Sequence, residues 1–256
     1  MVRVARRQRH VDDYLCVMHT CYHPALRAGL QALPEDEALH VVRVLRAKEG
    51  DALRLVNGEG AWADGEVAHV SKRSCDVRVL EVHDEGMARP EGLVLVVAPT
   101  KHTDRFEWLL EKATELGVEA IVPVWTARSE RRIEKHERWD KVLVAATKQS
   151  QRRWKPVLHP AVECHRLLES HPWLATRAGA VAHCMDRCEG TPERRAWTAW
   201  QSDHASAWLA VGPEGDFTEA EVRQFTEWGA APVHLGALRL RTETAGIAAV
   251  AQFEQS

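Results

Sequence analysis

Two glycine-bearing segments in the second half of the chain have the residue types to hold a small ligand close to the backbone. "VGPEGDF", from Val211 to Phe217, lies between an apolar run and a charged, periodic segment. "LGALRLRTETAG", from Leu235 to Gly246, follows another apolar run. Glycine lets a ligand approach the main chain, and α/β sheets bind ligands where their strands end. The two segments could line one pocket, although each glycine taken alone is explained as well by a turn.

The same residues exclude two common kinds of site. Neither segment has the lysine of G-x-x-x-x-G-K-[ST] or the spacing of G-x-G-x-x-G, so neither is predicted to be a phosphate-binding loop. His183, Cys184 and Cys188 lie close together in "AHCMDRCEG", but a structural zinc site usually needs two compact ligand pairs, so no metal is predicted. The six cysteines are scattered and are interpreted as reduced thiols.

The elements that would position the two segments form a predicted α/β domain. "GLVLVVAP" has the continuous apolar character of a strand buried on both faces. A helix follows, with Asp104 and Glu107 as a predicted capping box and Gly117 as its C-terminal cap, and "VEAIVPV" supplies the next strand. Strand, helix and strand at this length predict a parallel sheet. Further strands are predicted at 179–183, 207–211 and 232–235, and helices at 139–148, 218–228 and 244–253.

The first half of the chain has a different character. Residues 1–17 form a basic N-terminal extension, which we interpret as disordered or as the result of a start-site choice. Short alternating runs with turn signals between them predict a small β domain in residues 18–89, with a linker at 83–92. Residues 90–256 form the α/β domain. A second capping box is predicted at Thr218 and Glu221, with Phe217 and Val222 as a hydrophobic staple.

Composition points to an ordinary globular protein. The chain has 256 residues, 45% of them hydrophobic, and a formal net charge of −3. It has no run of about 18 apolar residues and no signal peptide, so we expect a cytoplasmic protein without a membrane partner. The segment 128–155 carries ten basic and four acidic residues. It could follow a phosphate backbone, or it could be the solvated face of a helix.

Four ordered segments resemble the RsmE-like 16S rRNA uracil-N3 methyltransferases of the SPOUT superfamily. They are "APTKHTDRFEWLLEKATELGVEAIVPV", "AATKQSQR", "VGPEGDFTEAEV" and "LGALRLRTETA", and "LPEDEALHVVRVLRAKEGD" resembles that family's N-terminal domain. The resemblance implies a C-terminal SPOUT domain with a trefoil knot and a parallel sheet, preceded by a small PUA-like β-barrel domain that binds RNA. It also implies S-adenosylmethionine as methyl donor, 16S rRNA or the small ribosomal subunit as partner, and a homodimer.

The resemblance assigns the methyl-donor site to the two glycine-bearing segments. The implied cofactor-binding residues are Gly212, Pro213, Glu214, Gly215, Leu235, Gly236, Leu238, Leu240, Arg241 and Thr242. Glycine turns at strand ends can offer adenine a flat apolar slot and backbone hydrogen-bonding groups. The chain departs from the family pattern at Leu238 and Arg239, which replace Arg and Ile, and at Asp216, which replaces a common glycine.

Candidate catalytic residues follow from what uracil methylation requires. A sulfonium methyl is already activated, so the protein must align it with uracil N3, and a base could remove the N3 proton. Glu243 and Glu115 are candidate bases, although Glu115 could be a surface carboxylate paired with Lys112. Arg241 could instead stabilise the developing oxyanion, and we favour this role.

The candidate RNA ligands are basic or polar residues in both domains, namely Arg43, Arg46, Lys101, Arg105, Lys112, Gln149, Arg152 and Arg153. They could hold phosphates on either side of an extruded base. Two alternatives stay open at this point. The protein could methylate a different RNA atom, such as a ribose 2′-hydroxyl or a tRNA base, or it could be a non-catalytic relative that binds RNA.

Overall fold

A computed structural model describes residues 18–84, 88–186 and 188–253. The chain divides into two compact units, one reaching Asp84 without 58–60, the other comprising 58–60 and the chain from Glu85 onward. The predicted basic extension of residues 1–17 lies outside the described residues. Each of the two units has its own sheet and its own hydrophobic core.

The first unit is built on a five-stranded sheet in the order β1-β3-β4-β5-β2. Its strands are β1 His19–Tyr22, β2 Gly29–Ala32, β3 Ala52–Val56, β4 Trp62–Val70 and β5 Cys75–Val79. A short helix, α1 Glu35–His40, continues into a π-helical turn, Val41–Leu45. β1 pairs with β3 in parallel and the other pairs are antiparallel. Alternate side chains of β4 and β5 point into the core, as the alternating sequence predicts for half-buried strands.

The second unit contains an eight-stranded sheet in which every recorded pairing is parallel. The strands are β6 Leu93–Val97, β7 Ala120–Trp125, β8 Val157–Leu158, β9 Val162–Glu163, β10 Ala178–Ala182, β11 Arg195–Ala196, β12 Ala207–Val211 and β13 Ala231–His234. The order is β11-β13-β10-β12-β6-β7-β8, with β9 also pairing with β7. The helices are α2 Thr103–Glu115, α3 His136–Gln149, α4 Leu167–Ser170, α5 Trp197–Gln201, α6 Glu219–Glu227 and α7 Thr242–Gln252.

Helices cover both faces of this sheet, which explains why its central strands are apolar throughout. All five residues of β6 and all five of β12 are buried. Side chains of α2, α3, α5 and α7 pack on one face, and side chains of α4 and α6 pack on the other. The predicted strand–helix–strand unit is confirmed as β6, α2 and β7. No helix within the described part of the chain combines the length and apolar character needed to cross a membrane.

The two predicted helix starts have different outcomes. Thr218 and Glu221 form a capping box at α6, so that prediction is confirmed, and Phe217 and Val222 are both buried in the same cluster. The predicted box of Asp104 and Glu107 is wrong, because α2 already begins at Thr103 without a side-chain cap. Glu107 instead accepts a hydrogen bond from Arg138 at 2.7 Å.

The C-terminal end of α2 is confirmed at the predicted glycine. Gly117 has a φ of +98°, a conformation that residues with a side chain seldom adopt. The Gly117 amide donates to the Thr114 carbonyl, and the Val118 amide donates to the Ala113 carbonyl, both at 3.0 Å. This is the Schellman arrangement, and it returns the chain to the sheet at β7.

The last helix returns from one side of the sheet to its centre. β13 lies beyond β10 in the strand order, yet α7 packs against α2 and β6. A Cβ atom on Gly246 would lie 2.8 Å from Leu109 Cδ1 and 3.3 Å from Leu95 Cδ2, so a larger residue here would force the Leu109 side chain to move. The path of the chain across β10 and β12 agrees with the trefoil knot that the resemblance implies.

A buried ion pair joins the amino ends of three strands. The Arg177 guanidinium donates to both carboxylate oxygens of Glu119, at 2.6 and 2.9 Å, and the Gly92 amide donates to the same carboxylate at 2.7 Å. The Glu119 side chain is 10% exposed and the Arg177 side chain 15%. Gly92, Glu119 and Arg177 directly precede β6, β7 and β10, so the carboxylate holds these three strand starts together.

We predict that Glu119→Gln lowers the free energy of unfolding by about 3 kcal/mol, because Arg177 would keep its charge without a carboxylate partner in a low-dielectric site. Urea denaturation measures this change. The matched control is Glu169→Gln, which removes the carboxylate of the exposed Arg166–Glu169 pair and should leave the unfolding midpoint unchanged. Equal midpoints for the two variants would contradict the role assigned to Glu119.

Candidate functional site

A cavity of about 690 Å³ opens at the carboxyl edge of the parallel sheet. Its walls come from the segments that follow β10, β12 and β13, and from the first turn of α7. This is the edge at which open α/β sheets bind ligands. The two glycine-bearing segments therefore line one cavity.

Gly212 is placed where a side chain would fit only tightly. A Cβ atom on Gly212 would lie 3.0 Å from the backbone nitrogen of Phe217, so any larger residue would push the turn after β12 open by a few tenths of an ångström. Arg128 fixes the other end of this turn, donating from Nη1 to the Gly215 carbonyl at 2.7 Å and the Phe217 carbonyl at 3.2 Å. Gly215 lies behind the cavity wall, facing the Arg128 side chain.

A buried hydrogen bond joins the two glycine-bearing segments. Thr242, the first residue of α7, donates from its hydroxyl to the Gly212 carbonyl at 2.9 Å. Thr242 is only 4% exposed. The bond links the end of β12 to the start of α7, so the two segments keep a fixed relation across the cavity.

Asp216 joins the β12 turn to the segment that follows β10. One carboxylate oxygen accepts from the Cys184 amide at 2.8 Å, and the other accepts from the Phe217 amide at 2.8 Å. Asp216 has a φ of +63°, which explains why glycine is common at this position in the resembling family. Aspartate adopts this conformation more readily than most residues, and here its side chain adds two hydrogen bonds.

Glu214 extends the same turn toward the start of α2. Its carboxylate accepts a hydrogen bond from the Lys101 amide at 3.0 Å. The Lys101 ammonium pairs with Glu130 at 2.5 Å. The segment between β6 and α2 is therefore held against the β12 turn, and four neighbouring strands contribute to one edge.

The lining of the cavity combines apolar residues with charged residues at its rim. Leu235, Leu240, Val211, Ala182 and Ala245 provide the apolar surface. The charged lining residues are Asp186, Arg194, Glu214, Asp216, Arg239 and Arg241. Apolar walls with a few placed polar groups are typical of sites for small organic ligands, and about 300–1,000 Å³ is their usual volume.

Nine of the ten predicted cofactor residues line this cavity. They are Gly212, Pro213, Glu214, Leu235, Gly236, Leu238, Leu240, Arg241 and Thr242. Gly236 has a φ of +141°, in the region that favours glycine. Leu238, one of the two departures from the family pattern, is 81% exposed.

The three predicted catalytic residues occupy different environments. Arg241 is exposed and lines the cavity. Glu243 does not line it: the residue is 5% exposed and its carboxylate faces Arg105 on α2, with 3.8 Å between Oε1 and the arginine Nε. Glu115 accepts from Lys112 at 2.9 Å at the far end of α2, roughly 18 Å along the helix axis from Thr103. Glu115 therefore matches the alternative interpretation, a paired surface carboxylate.

Several predicted RNA ligands are bound to other groups of the protein. Arg152 donates to the carbonyls of Thr114 and Val118 at 2.7 and 3.2 Å, and burial, followed by repulsion from Arg89, lowers its pKa to about 10. Its role in this structure is to hold the end of α2. Lys112 pairs with Glu111 and Glu115, and Arg105 faces Glu243.

The remaining five predicted RNA ligands are exposed, and one of them, Lys101, is also paired with Glu130. In the first unit, Arg43 lies in the π-helical turn and Arg46 follows it with a φ of +53°. In the second unit, Gln149 and Arg153 lie at and beyond the end of α3. Contact of these residues with RNA stays a prediction.

The basic segment 128–155 is largely engaged within the protein. Arg132 donates to Glu163 and to the Thr126 carbonyl, Arg138 pairs with Glu107, and Lys155 pairs with Asp140. Together with Arg128 and Arg152, these residues brace turns and helix ends. The number of basic residues in a segment could not reveal these roles, because it does not say which carboxylates or carbonyls of the protein the residues contact.

The segment after β10 also contributes to the cavity, which was not predicted from the sequence. His183, Cys184, Asp186 and Arg194 line the cavity, although His183 and Cys184 were considered only as metal ligands. Within residues 18–84, 88–186 and 188–253, no group of three or more His, Cys, Asp or Glu side chains is placed to hold a metal ion. The usable signal was the apolar run that ends at Ala182, since a neighbouring parallel strand ends at the same edge.

Comparison with known proteins identifies the kind of domain that carries this cavity. Residues 88–254 match the model of an RNA methyltransferase domain, and residues 33–80 match that of an RNA methyltransferase PUA domain. The second unit is thus an RNA methyltransferase domain.

Relatives specify the family. The chain is 31% identical to ribosomal RNA small subunit methyltransferase E of Bacillus subtilis, over 84% of this chain and 86% of the relative. It is also 31% identical to the protein of that name from Rickettsia conorii, over 86% of this chain and 87% of the relative. The chain belongs to the ribosomal RNA small subunit methyltransferase E family.

Solved structures agree with this membership. A probable rRNA methyltransferase from Porphyromonas gingivalis superposes with a TM-score of 0.79 and 34% identity, over 91% of this chain and 95% of that one. A ribosomal RNA small subunit methyltransferase E from Neisseria gonorrhoeae, bound to S-adenosyl methionine, superposes with a TM-score of 0.78 and 27% identity. The match covers 91% of this chain and 96% of that one.

We predict that Asp216→Ala lowers the free energy of unfolding by about 1–3 kcal/mol, because alanine keeps the left-handed backbone and loses both hydrogen bonds. Asp216→Gly loses the same bonds but relieves the backbone, so its loss should be smaller. Urea denaturation of both variants measures the difference. An alanine variant as stable as the glycine variant would contradict the proposed effect of the positive φ.

Proposed function

We propose that this protein transfers a methyl group from S-adenosylmethionine to N3 of a uridine in the 16S rRNA of the small ribosomal subunit. The observation that carries the proposal is the cavity at the carboxyl edge of the sheet, formed by two joined glycine turns in a chain of this rRNA methyltransferase family. The Neisseria gonorrhoeae relative was solved with S-adenosyl methionine bound.

The residues around the cavity fit this donor. Adenine requires apolar contact and backbone hydrogen-bonding groups, which Leu235, Leu240 and the Gly212 turn would provide. The amino-acid end of the donor carries a carboxylate and an ammonium group, and the rim of the cavity offers arginines as well as carboxylates to pair with them. Thr242 would hold the two halves of this site together through its bond to Gly212.

The reaction exchanges one proton for one methyl group at the base. A uridine N3–H and S-adenosylmethionine give N3-methyluridine, S-adenosylhomocysteine and a proton. The donor supplies a methyl group that its sulfonium already activates, so the protein contributes mainly alignment. Arg241, exposed in the cavity lining, would stabilise negative charge on a uracil carbonyl oxygen as N3 loses its proton.

Neither predicted carboxylate base lies in the cavity lining. Glu243 would act by holding Arg105 beside the first turn of α7, which makes it a positioning residue in this proposal. Glu115 is paired with Lys112 on α2 and has no part in the reaction. The proton would therefore pass to water once Arg241 has made N3 more acidic.

Substrate binding would involve both units. In the first unit, the exposed arginines Arg43 and Arg46 would contact rRNA beyond the target base. In the second unit, Gln149 and Arg153 would contact flanking phosphates. Homodimerisation and a cytoplasmic location stay predictions.

The test is a methylation assay on small ribosomal subunits that lack the modification, with radiolabelled S-adenosylmethionine and nucleoside analysis of the digested rRNA. We expect labelled N3-methyluridine. Arg241→Ala should lower kcat by about 10²–10³-fold, the loss typical of removing one oxyanion-stabilising donor. The matched control is Arg223→Ala, an exposed arginine on α6 that pairs with Glu219 and should leave kcat unchanged.

Other outcomes would replace the proposal. A labelled 2′-O-methyl nucleoside or a labelled guanine would assign the protein to a different RNA atom. Binding of rRNA without transfer of any labelled methyl group would identify a non-catalytic relative. Full activity of Arg241→Ala would remove the arginine from the mechanism while leaving the reaction itself established.

A further inference from the structure

A second recess opens at the carboxyl edge of the parallel sheet, next to the strands whose ends do not line the cavity. Its walls come from the segment after β6, the first turn of α2, the segment after β7 and the first turn of α3. All its charged lining residues are basic, namely Lys101, Arg131 and Lys135. Among the described residues that line it, none is acidic, so the recess favours an anion.

The three cations of the recess differ in how far the protein itself occupies them. The Lys101 ammonium pairs with Glu130 at 2.5 Å. Lys135 donates from Nζ to the Thr103 hydroxyl at 3.3 Å, and this partner is neutral. Arg131 is exposed, and no residue in the described part of the chain forms a hydrogen bond or ion pair with its side chain. The Arg131 guanidinium is therefore open to a ligand, in a recess that Lys135 keeps positive.

The backbone on both sides of Arg131 is anchored. Arg128 donates to the Gly215 carbonyl at 2.7 Å, and Arg132 donates from Nη2 to the Thr126 carbonyl at 2.9 Å. Arg131 thus differs from these neighbours in the basic segment, whose guanidinium groups brace turns of the protein. A side chain on a fixed backbone is presented to solvent in a defined place, as a ligand-binding residue requires.

The recess and the cavity belong to one edge of the sheet. The Lys101 amide donates to the carboxylate of Glu214, a cavity residue, so the segments after β6 and β12 are joined. β6 and β7 lie two to three strands from β10, which is roughly 10–15 Å at the usual spacing of neighbouring strands. A nucleotide whose base is extruded into the cavity would place a flanking phosphate at the recess.

The chemistry of the recess matches a ribose phosphate. A guanidinium can bind two phosphate oxygens through parallel N–H donors. Ile133, which is 48% exposed, adds apolar surface against which a ribose could pack. The recess is shallow, about 20 Å³, so the phosphate would lie at its mouth, where Arg131 is exposed. Resting on the proposed function, we propose that Arg131 binds a backbone phosphate of the RNA beside the target uridine and so directs the base into the cavity.

The test follows methylation of small ribosomal subunits that lack the modification, with the full-length protein and a varied concentration of subunits. Arg131→Ala should raise KM for the subunits about tenfold, as for the loss of one charge-assisted hydrogen bond, and leave kcat unchanged. Filter binding at several salt concentrations measures the affinity for the same subunits. The slope of log affinity against log salt should become shallower by about one, because one phosphate contact fewer releases counterions.

Further variants and a second ligand separate this contact from other effects. Arg131→Lys keeps the charge and should retain most of the affinity. Arg223→Ala removes an exposed arginine of α6 and should leave both KM and the salt slope unchanged. Calorimetry with S-adenosylhomocysteine should give Arg131→Ala the affinity of the wild type, since Arg131 does not line the cavity. Equal urea midpoints for wild type and Arg131→Ala check that the exposed side chain has no part in folding.

Several results would overturn the inference. A wild-type KM in Arg131→Ala, a raised KM with an unchanged salt slope, or an equal loss in Arg223→Ala would each do so. Weaker binding to assembled subunits, with unchanged binding to protein-free 16S rRNA, would assign Arg131 to a ribosomal protein instead. All these results leave methyl transfer by the wild type established. Absence of methyl transfer by the wild type would remove the proposed function together with this inference.

Discussion

The hydrogen bond from the Thr242 hydroxyl to the Gly212 carbonyl is the interaction on which the site depends. It spans 2.9 Å, is buried, and connects the end of one central strand to the first turn of the last helix. The carbonyl lies at the end of β12, where the sheet supplies no further ladder partner. Without the Thr242 hydroxyl, this buried carbonyl would have no hydrogen-bond partner, which would cost free energy. Because α7 returns across the sheet to pack on α2, the bond also connects the cavity to the core of the second unit.

The rest of the cavity edge is built from side chains that bind backbone groups. Asp216 holds the segment after β10, Glu214 holds the segment after β6, and Arg128 holds the turn from behind. Arg128 belongs to the basic segment that a simple charge count would assign to RNA binding, yet its guanidinium binds this turn. These contacts leave a cavity lined by apolar residues and by charged residues at its rim, among which the Arg241 side chain is exposed to ligands.

The sequence predicted the parallel sheet, the helix capped at Thr218 and the convergence of the two glycine segments, because each depends on local spacing or on a general property of α/β sheets. It could not predict the strand order, which places β10 between β12 and β13 and brings His183 to the cavity. It also could not separate exposed basic residues from those that brace helix ends, as Arg152 does, because both look alike in composition. The assignment of the fold and of the donor depended on the family resemblance rather than on periodicity.

The central claim is that Thr242 joins the two glycine segments into one donor site, and calorimetric titration of Thr242→Val with S-adenosylhomocysteine tests it most directly. The matched control is Thr147→Val, since Thr147 is also buried and donates to a carbonyl, but to one within its own helix, α3. The account predicts about tenfold or greater loss of affinity in Thr242→Val, from the unpaired Gly212 carbonyl, and no loss in Thr147→Val. Equal, wild-type affinity in both variants would contradict it.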